Sequence, residues 1–252
     1  MAANILILDI ETTPNIAYVW RFFKENVGAD QVIKNSEILS YAAKWLGKKD
    51  IYYDDRLMNN EKGLLLALVH LLDLADIVVA HYGRRFDLPR INARCLALGI
   101  KPPSPYKIVD TKEIASKHFL FDANNLKHLA NVLGCAPKLD HNKFPGFKLW
   151  LECLKGNPEA YEELEIYNKQ DVLTLEEIYL KMRPWMPHHP NVAVFEEEVV
   201  CPKCGGNHYH RRGFYYSNSG RYQRYQCNSC GGWFRTRYME KQDRKNLPAN
   251  AI

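Results

Sequence analysis

Two acidic residues, Asp9 and Glu11, lie two positions apart at the end of an apolar segment, residues 4–10. In a β-strand, residues i and i+2 point to the same face, so the two carboxylates would share one face. Such a pair on a buried strand is costly unless a cation lies between the two groups. Hard divalent cations prefer carboxylate oxygen, so the pair indicates a metal site. A solvated strand end is the alternative.

Three further polar residues could join this pair. Asp87 follows a second apolar segment, where a loop enters a helix. Ligands of open α/β sheets bind at the carboxyl ends of strands, although a helix N-cap would also explain this residue. Tyr167 and Asp171 are four positions apart on a predicted helix and therefore share one face. A solvated helix surface is the alternative for that pair, and the order and combination of the five residues favour a common site.

Four cysteines form the strongest local motif. Cys201 and Cys204, and again Cys227 and Cys230, are each separated by two residues and followed by Gly-Gly. Four thiolates suit a tetrahedral Zn²⁺ ion. A redox role would need a thioredoxin-like context, and disulfides are disfavoured in the cytosol. We therefore predict one structural zinc ion. The remaining three cysteines are expected to be buried apolar residues: Cys95, Cys135 and Cys153.

Basic and aromatic residues surround this motif. From residue 201 to residue 252 there are ten Lys or Arg against two Asp or Glu, a net charge of +8, whereas the remainder has 24 against 27, a net charge of −3. A basic segment with interleaved aromatics favours a polyanionic partner, because arginines reach phosphates and rings stack on bases. The predicted contacts in this segment are Arg211, Arg212, Tyr215, Arg221, Arg224, Arg235 and Arg237. Such a module can also bind a protein, so a protein partner stays open.

Hydrophobic periodicity predicts an α/β fold for the rest of the chain. Short apolar segments alternate with helical patterns, and Asp110 is positioned to cap the helix that follows it. Strands are predicted at 4–10, 38–46, 51–53, 76–81 and 107–109, and helices at 60–74, 87–98, 124–133 and 158–182. Three prolines within residues 184–190 end the last helix and indicate a domain boundary. The expected organisation is a domain at 1–183, a linker at 184–198, a small β-rich module at 199–240 and a disordered tail at 241–252.

Composition limits the class of protein. Hydrophobic residues make up 46% and charged residues 25% of the 252 residues, which is typical of a globular protein and excludes collagen or wholly disordered chains. No apolar run approaches the length of a membrane span, and residues 1–11 lack the basic start of a signal peptide. We therefore expect a cytoplasmic protein without a membrane partner.

The motifs together resemble a known nuclease family. Asp-x-Glu in the first strand, Phe-Asp at the start of a later helix, and Tyr-x-x-x-Asp in the last long helix are similar to the three exonuclease motifs of the DEDD superfamily. The resemblance covers residues 4–182. The DnaQ-like proofreading exonucleases are members of this superfamily. The opening Leu-Asp-Ile-Glu-Thr-Thr-Pro also resembles YprB-type ribonuclease H-like proteins, several of them phage-encoded. The C-terminal module resembles a zinc ribbon.

This resemblance implies a fold, an activity and a set of roles. The fold would be a ribonuclease H-like mixed sheet flanked by helices, followed by the ribbon. Two Mg²⁺ or Mn²⁺ ions would be held by Asp9, Glu11, Asp87 and Asp171. The histidine subclass carries its histidine at position 166, which is isoleucine here, so Tyr167 indicates the tyrosine subclass. Thr12 and His81 would contact the substrate; many family members have asparagine in place of His81.

The implied activity is 3′–5′ exonucleolytic hydrolysis of DNA by two metal ions, in the cytoplasm of a bacterium or of a phage-infected cell. Two divalent ions can activate water and stabilise the leaving oxygen. Two alternatives stay open. One is a ribonuclease or a structure-selective endonuclease on the same fold, and the other is a non-catalytic nucleic-acid-binding adaptor.

Overall fold

The computed structural model describes residues 2–137, 141–218 and 220–239. The chain divides into two compact units, a larger one at Asn4–Tyr179 and a smaller one that begins at Leu180. The division falls within the last turn of a long helix, close to the predicted boundary. The predicted disordered tail at 241–252 lies outside the described residues.

The larger unit is built on a five-stranded mixed sheet. In spatial order its strands are β5 (Ile51–Asp55), β4 (Ile38–Trp45), β1 (Ile5–Thr12), β6 (Ile77–Ala80) and β7 (Lys107–Asp110). β1 is antiparallel to β4 and parallel to β6, and β6 is parallel to β7. The first four residues of β1 are buried, as expected of a central strand covered on both faces.

Helices cover both faces of this sheet. α1 (Glu61–Asp73) and α2 (Asp87–Ala97) pack against Leu6, Leu8 and Ile10 of β1 in the main core. On the other face, α5 (Lys148–Leu154) and α6 (Pro158–Met182) form a second core with Leu39. Two further helices are α3 (Thr111–His118) and α4 (Leu126–Leu133). Because side chains alternate along a strand, Asp9 and Glu11 point away from the main core, toward the face that α6 covers.

Polar contacts fix α6 on the sheet. Ser40 of β4 donates a hydrogen bond to Asn168 Oδ1 (3.0 Å), and Lys44 of the same strand pairs with Glu176 (2.5 Å). Ser40, Lys44 and Asn168 are buried. Residues 40 and 44 share one face of β4, whereas residues 168 and 176 are separated by about two helical turns. This double attachment sets the register of α6 and thereby the position of Asp171.

The predicted elements of the larger unit are confirmed, with end points that shift by a few residues. Asp110 caps α3 by accepting a hydrogen bond from Glu113 N (3.0 Å), and Gly134 ends α4 in the left-handed conformation at φ +59°. The elements not predicted are β2 (Ile16–Ala17), a 3-10 turn at Ala29–Gln31, β3 (Val32–Lys34) and α5. The first three are very short, and α5 lacks a side-chain N-cap that would mark its beginning.

The smaller unit carries a three-stranded antiparallel sheet in the order β10 (Trp233–Arg235), β9 (Gly220–Cys227) and β8 (Tyr209–Ser217). The segment predicted as a linker forms 3-10 turns at Arg183–Trp185 and Val192–Phe195 and buries Met186 and Val192. Val192 N donates a hydrogen bond to Pro202 O (2.9 Å), so this segment is part of the smaller unit's packing. The predicted β-rich segment with four neighbouring cysteines is confirmed.

Within the described residues, no helix combines the length and the apolar character needed to cross a membrane. The cytoplasmic location stays a prediction.

Candidate active site and cysteine cluster

Three of the four predicted metal-binding acids meet at one point. Asp9, Glu11 and Asp171 each offer a carboxylate oxygen, and these oxygens all lie within 4.8 Å of one another. Asp9 and Glu11 come from the end of β1, and Asp171 comes from α6. A β-bulge between Glu11 and Thr12 interrupts the pairing of β1 with β4, and bulges of this kind re-aim side chains beside active sites. Three carboxylates at this distance repel one another unless a cation compensates their charge, so the donor set fits a hard divalent ion.

Neighbouring side chains orient two of these carboxylates. Asn168 Nδ2 donates to Asp9 Oδ2 (2.7 Å), while its Oδ1 accepts from Ser40. Trp150 Nε1 donates to Glu11 Oε2 (3.2 Å). Outer hydrogen bonds of this type hold metal-binding side chains in a defined direction. No sequence pattern identifies Asn168 or Trp150, because neither belongs to a spaced motif and both act through contacts across the fold.

Asp87 lies in the same cavity as the acid cluster but outside the group of three. It is the first residue of α2, whose N-cap position is Phe86, so the simple N-cap alternative does not apply. Its Oδ1 accepts a hydrogen bond from Ile10 N (3.2 Å), which ties the start of α2 to the strand that carries Asp9 and Glu11. Burial raises the pKa of Asp87 to about 7, and the charge of Asp110 acts in the same direction. An ionised Asp87 therefore calls for a compensating cation.

Tyr167 lies in an aromatic group beside the acids. The rings of His141 and Trp150 approach it edge to face, with centroids at 5.4 Å and 6.3 Å. His141 and Trp150 also contact each other (5.4 Å), and the Nδ1 atom of His141 lies 2.8 Å from Phe144 O. Trp150 therefore connects Tyr167 to Glu11. The predicted histidine-subclass position, Ile166, is 59% exposed.

The loop before Asp87 is held in an unusual conformation. Tyr82 has a φ of +72°, which is uncommon for a residue with a side chain. Asp110 stabilises it by accepting hydrogen bonds from Tyr82 N and Arg84 N, both 3.1 Å long. A Cβ atom at Gly83 would lie 2.4 Å from the Cβ of Ala80, so the tight return of the chain requires glycine there. Strained backbone of this kind is common at functional sites.

The other two predicted substrate contacts differ in their surroundings. His81 lines the acid cavity, and its Nδ1 lies 2.9 Å from Thr111 Oγ1. Thr12 is the last residue of β1, immediately beyond the bulge, and is half-buried.

Two adjoining cavities lie along this edge of the sheet. The acid cavity has a volume of about 260 Å³ and includes Asp9, Glu11, Asp87 and Asp171. A second cavity of about 330 Å³ shares Tyr82 and Lys112 with the first. The cationic residues of the second cavity are Arg84, Arg85, Lys112 and Lys117. An acidic cavity therefore continues into one lined by four cations and two acids, Asp110 and Glu113, the second of which forms an ion pair with Arg84 (3.2 Å).

The four motif cysteines converge in the smaller unit. Their sulfur atoms all lie within 4.8 Å of one another, with 3.8 Å between Cys201 and Cys230 and 3.6 Å between Cys204 and Cys227. These separations are too long for disulfide bonds. A tetrahedral ion with metal–sulfur bonds of about 2.3 Å would place its sulfurs roughly 3.8 Å apart, so the spacing fits such an ion.

The two halves of the cysteine cluster repeat the same backbone turn. Gly205 N bonds to Cys201 O and Gly231 N bonds to Cys227 O, each at 2.9 Å. Both glycines have positive φ, +74° and +75°, which a residue with a side chain rarely adopts. In each half, the next amide donates to the second cysteine sulfur at 3.4 Å. The Gly-Gly pair is therefore what allows both thiols of each half to face one point.

Aromatic rings of the three-stranded sheet divide into two groups. Tyr209, Tyr225 and Phe234 pack on one another with centroid distances of 5.3 Å and form a small core. Five further rings of the smaller unit carry arginines above them. Those contacts are Arg221 over Phe214 (4.3 Å), Arg224 over Trp233 (4.8 Å), Arg235 over Tyr222 (4.1 Å) and Tyr215 (5.2 Å), and Arg237 over Tyr238 (5.6 Å). Arg211 and Arg212 are exposed on β8.

A family model described as RNase_H superfamily matches residues 6–183. The chain belongs to the ribonuclease H superfamily. The matched span includes all five predicted active-site residues. No curated protein matches the chain.

This ribonuclease H superfamily protein is also similar in fold to a solved structure. That structure is the family B DNA polymerase from the hyperthermophilic archaeon Pyrobaculum calidifontis, with a TM-score of 0.52 and 16% sequence identity. The match covers 73% of this chain but 25% of that chain, so the likeness spans about a quarter of the polymerase and concerns the fold alone. The ribonuclease H superfamily fold and its acid cluster together support a nuclease that uses divalent metal ions.

Proposed function

We propose that this chain is a metal-dependent 3′–5′ exonuclease of the tyrosine subclass that acts on DNA. The observation that carries the proposal is the convergence of Asp9, Glu11 and Asp171 within 4.8 Å at the end of the central strand. In a ribonuclease H superfamily fold, such a cluster is suited to phosphodiester hydrolysis.

The acids of this site would hold two Mg²⁺ or Mn²⁺ ions, with Asp9, Glu11 and Asp171 at the cluster and Asp87 completing the second position. Such ions lower the pKa of bound water and stabilise charge on the leaving oxygen. The raised pKa of Asp87, caused by burial, supports a cationic partner for its ionised form.

Tyr167 would orient the attacking water. Its position four residues before Asp171 gives it the same face of α6, and the exposed Ile166 cannot take this role. Trp150 and His141 both contact the tyrosine ring edge to face. Water attacks the terminal phosphorus, the bond from phosphorus to the 3′ oxygen of the preceding nucleotide breaks, and that oxygen takes up a proton. The products are a nucleoside 5′-monophosphate and a strand shortened by one nucleotide.

The cationic cavity beside the acids supports a polyanionic substrate. Its four basic side chains come from positions 84, 85, 112 and 117. They converge next to the acid cavity, where a phosphate chain leaving the cleavage point could be neutralised. The preference for DNA over RNA rests on the resemblance to the DEDD exonucleases.

The smaller unit would form a zinc ribbon that helps to bind nucleic acid. One structural Zn²⁺ ion held by the four cysteines would fix the two repeated turns. The exposed Arg211, Arg212, Arg235 and Arg237 would contact phosphates, and the part-exposed Tyr215 would contact bases. Arg221 and Arg224 are half-buried and would reach phosphates less freely. A protein partner is the alternative for this surface.

The proposal is tested with end-labelled DNA and RNA, each single- and double-stranded, incubated with Mg²⁺ or Mn²⁺. We expect metal-dependent release of mononucleotides from the 3′ end of DNA. A 3′-blocked strand and a circular strand separate exonuclease from endonuclease cleavage. Cleavage of circular DNA would replace the exonuclease with an endonuclease, cleavage of RNA alone would indicate a ribonuclease, and no cleavage of any substrate would leave a binding adaptor.

A further inference from the structure

The connection between β1 and β4 is far longer than the sheet requires. These strands are antiparallel neighbours that pair as far as Thr12 and Ile38, and such a pair can be joined by a two-residue turn. Here residues 13–37 form a separate projection, which we name the aromatic arm. Its base is closed by Thr13 N to Glu37 O and by Glu37 N to Thr13 Oγ1, both 2.9 Å. Its stem is the β2–β3 pair.

The tip of the arm exposes large aromatic side chains. Trp20 is 94% exposed, Phe22 92%, Phe23 82% and Tyr18 76%. Four such rings within six consecutive positions concentrate exposed apolar surface in one short segment of the chain. Surfaces of this kind mark binding sites, because leaving them in water forgoes the free energy of burial.

Polar side chains organise the same segment from within. Glu25 accepts hydrogen bonds from Trp20 N (3.2 Å), Arg21 N (2.8 Å) and Gln31 Nε2 (2.9 Å). Gln31 also donates to Tyr18 O (3.1 Å) and accepts from Gly28 N (2.7 Å). The hydrogen bond from Gln31 and those from the two amides lower the pKa of Glu25 and favour its carboxylate. These hydrogen bonds fix the backbone of the arm around Glu25 and Gln31, whereas the rings are exposed. The rings are therefore accessible to a ligand.

The charges and the position of the tip indicate the class of ligand. Residues 18–24 include two cations, Arg21 and Lys24, and no acid. Trp20 is nine positions after Glu11, so its backbone lies within roughly 32 Å of that metal-binding residue. A single-stranded nucleic acid offers unpaired bases to the rings and phosphates to the cations. A duplex hides its base faces and fits this surface poorly.

We infer that the tip of the aromatic arm is a stacking platform for unpaired bases of a single-stranded nucleic acid whose 3′ end occupies the acid cluster. The direction and end of the strand rest on the proposed function. Stacking of bases on rings does not depend on cleavage, so the stacking platform and the nuclease activity can be disproved independently.

The platform is tested by binding, in an Asp9→Asn background that prevents cleavage. The Trp20→Ala/Phe22→Ala double variant is compared with Leu96→Ala/Leu120→Ala, which also removes two exposed apolar side chains (82% and 104% exposed) from the larger unit. Affinity for a labelled oligothymidylate should fall roughly 5- to 150-fold for each lost stacking contact in the arm variant. The affinity of the Leu96→Ala/Leu120→Ala control should equal that of the parent. The salt dependence should be unchanged, because no phosphate contact is removed.

An abasic strand of the same length gives the sharper comparison. It keeps the phosphates and lacks the bases, so parent and arm variant should bind it equally. Unchanged oligothymidylate affinity in the arm variant overturns the platform, and so does an equal loss on the abasic strand. The platform is also overturned if the arm variant loses binding to a lipid vesicle or to a protein while its affinity for oligothymidylate is unchanged. The proposed nuclease is tested separately, by cleavage of oligothymidylate at saturating concentration with a Trp20→Ala/Phe22→Ala variant that retains Asp9.

Discussion

The two candidate metal centres of this protein are assembled in opposite ways. The four cysteines come from two short turns of identical backbone geometry, each specified by six consecutive residues. The acids come from β1 and α6, at opposite ends of the larger unit's sequence, and they meet because α6 packs on the sheet, where Asn168 and Glu176 contact β4. One centre is a local motif, and the other is a product of the whole fold.

This difference predicts different consequences of metal loss. The small sheet has a core of three rings, so a bound ion would contribute much of its stability. The described residues of the larger unit form two hydrophobic cores, so its acids are expected to serve chemistry at some cost to stability.

The largest expected effect is on the cysteine cluster. Cys204→Ser removes one of four ligands, and zinc-coupled folding free energies are on the order of 10 kcal/mol. We expect the zinc content to fall from one ion per chain to nearly none and the small sheet to unfold, as measured by elemental analysis and amide exchange. Cys135→Ser is the matched control. Metal-dependent cleavage of short substrates should survive, and its loss would mean that the two centres depend on each other.

At the acid cluster, a substitution should strongly reduce activity and leave stability unchanged or higher. Asp171→Asn should lower turnover by roughly 10³-fold, because the ions supply several kcal/mol of charge stabilisation. Without added metal, its melting temperature should equal or exceed that of the wild type, since one repelling charge is removed. Glu162→Gln changes an exposed acid of the same helix and serves as the control. Wild-type turnover in Asp171→Asn would contradict the proposed site.

A smaller effect is expected at the tyrosine. Tyr167→Phe keeps the ring and its contacts with His141 and Trp150 but removes the hydroxyl. If the hydroxyl orients water, kcat should fall by roughly 10²-fold with little change in KM. Tyr52→Phe, at an exposed position of β5, is the control. Unchanged turnover would make Tyr167 a packing residue.

The pH dependence of stability tests the role of Asp87. Its pKa in the folded protein is raised to about 7 by burial, so the stability contributed by its protonated form is complete below about pH 4 and lost as the pH rises through 7. Without added divalent metal, the melting temperature should therefore fall between pH 5 and pH 8 by roughly 5 °C more in the wild type than in Asp87→Asn. Added Mn²⁺ at pH 8 should reverse the fall if Asp87 helps to hold an ion. Identical pH profiles for the two proteins would exclude this titration.

The smallest expected effect concerns the arginines of the small sheet. Arg211→Ala/Arg212→Ala removes two exposed cations, so the slope of log affinity against log salt should become shallower by roughly 0.7 for each lost phosphate contact on single strands. Lys48→Ala/Lys49→Ala, at an exposed turn of the larger unit, is the control. An unchanged slope would favour a protein partner for this surface.

The cysteine cluster is a local motif, whereas the acid cluster depends on the whole fold. This difference determines how much of each could be predicted from sequence. The cysteine spacing specifies its own geometry, and the strand and helix patterns place Asp9, Glu11 and Asp171 at the correct ends of their elements. The contacts that orient them, from Asn168 and Trp150, could not be predicted, because they depend on the register of α6 and on the short helix α5. The aromatic arm also escaped prediction, since exposed rings follow neither the periodicity of a strand nor that of a helix.

The central claim is that Asp9, Glu11 and Asp171 hold the catalytic divalent ions. Its most direct test is Mn²⁺ binding by electron paramagnetic resonance at pH 8, on zinc-loaded wild type, the Asp9→Asn/Asp171→Asn variant and the Glu162→Gln control. The account predicts two Mn²⁺ ions per chain in the wild type and in the control, and loss of both from the double variant with zinc retained. Mn²⁺ binding by the double variant at wild-type stoichiometry and affinity would contradict it.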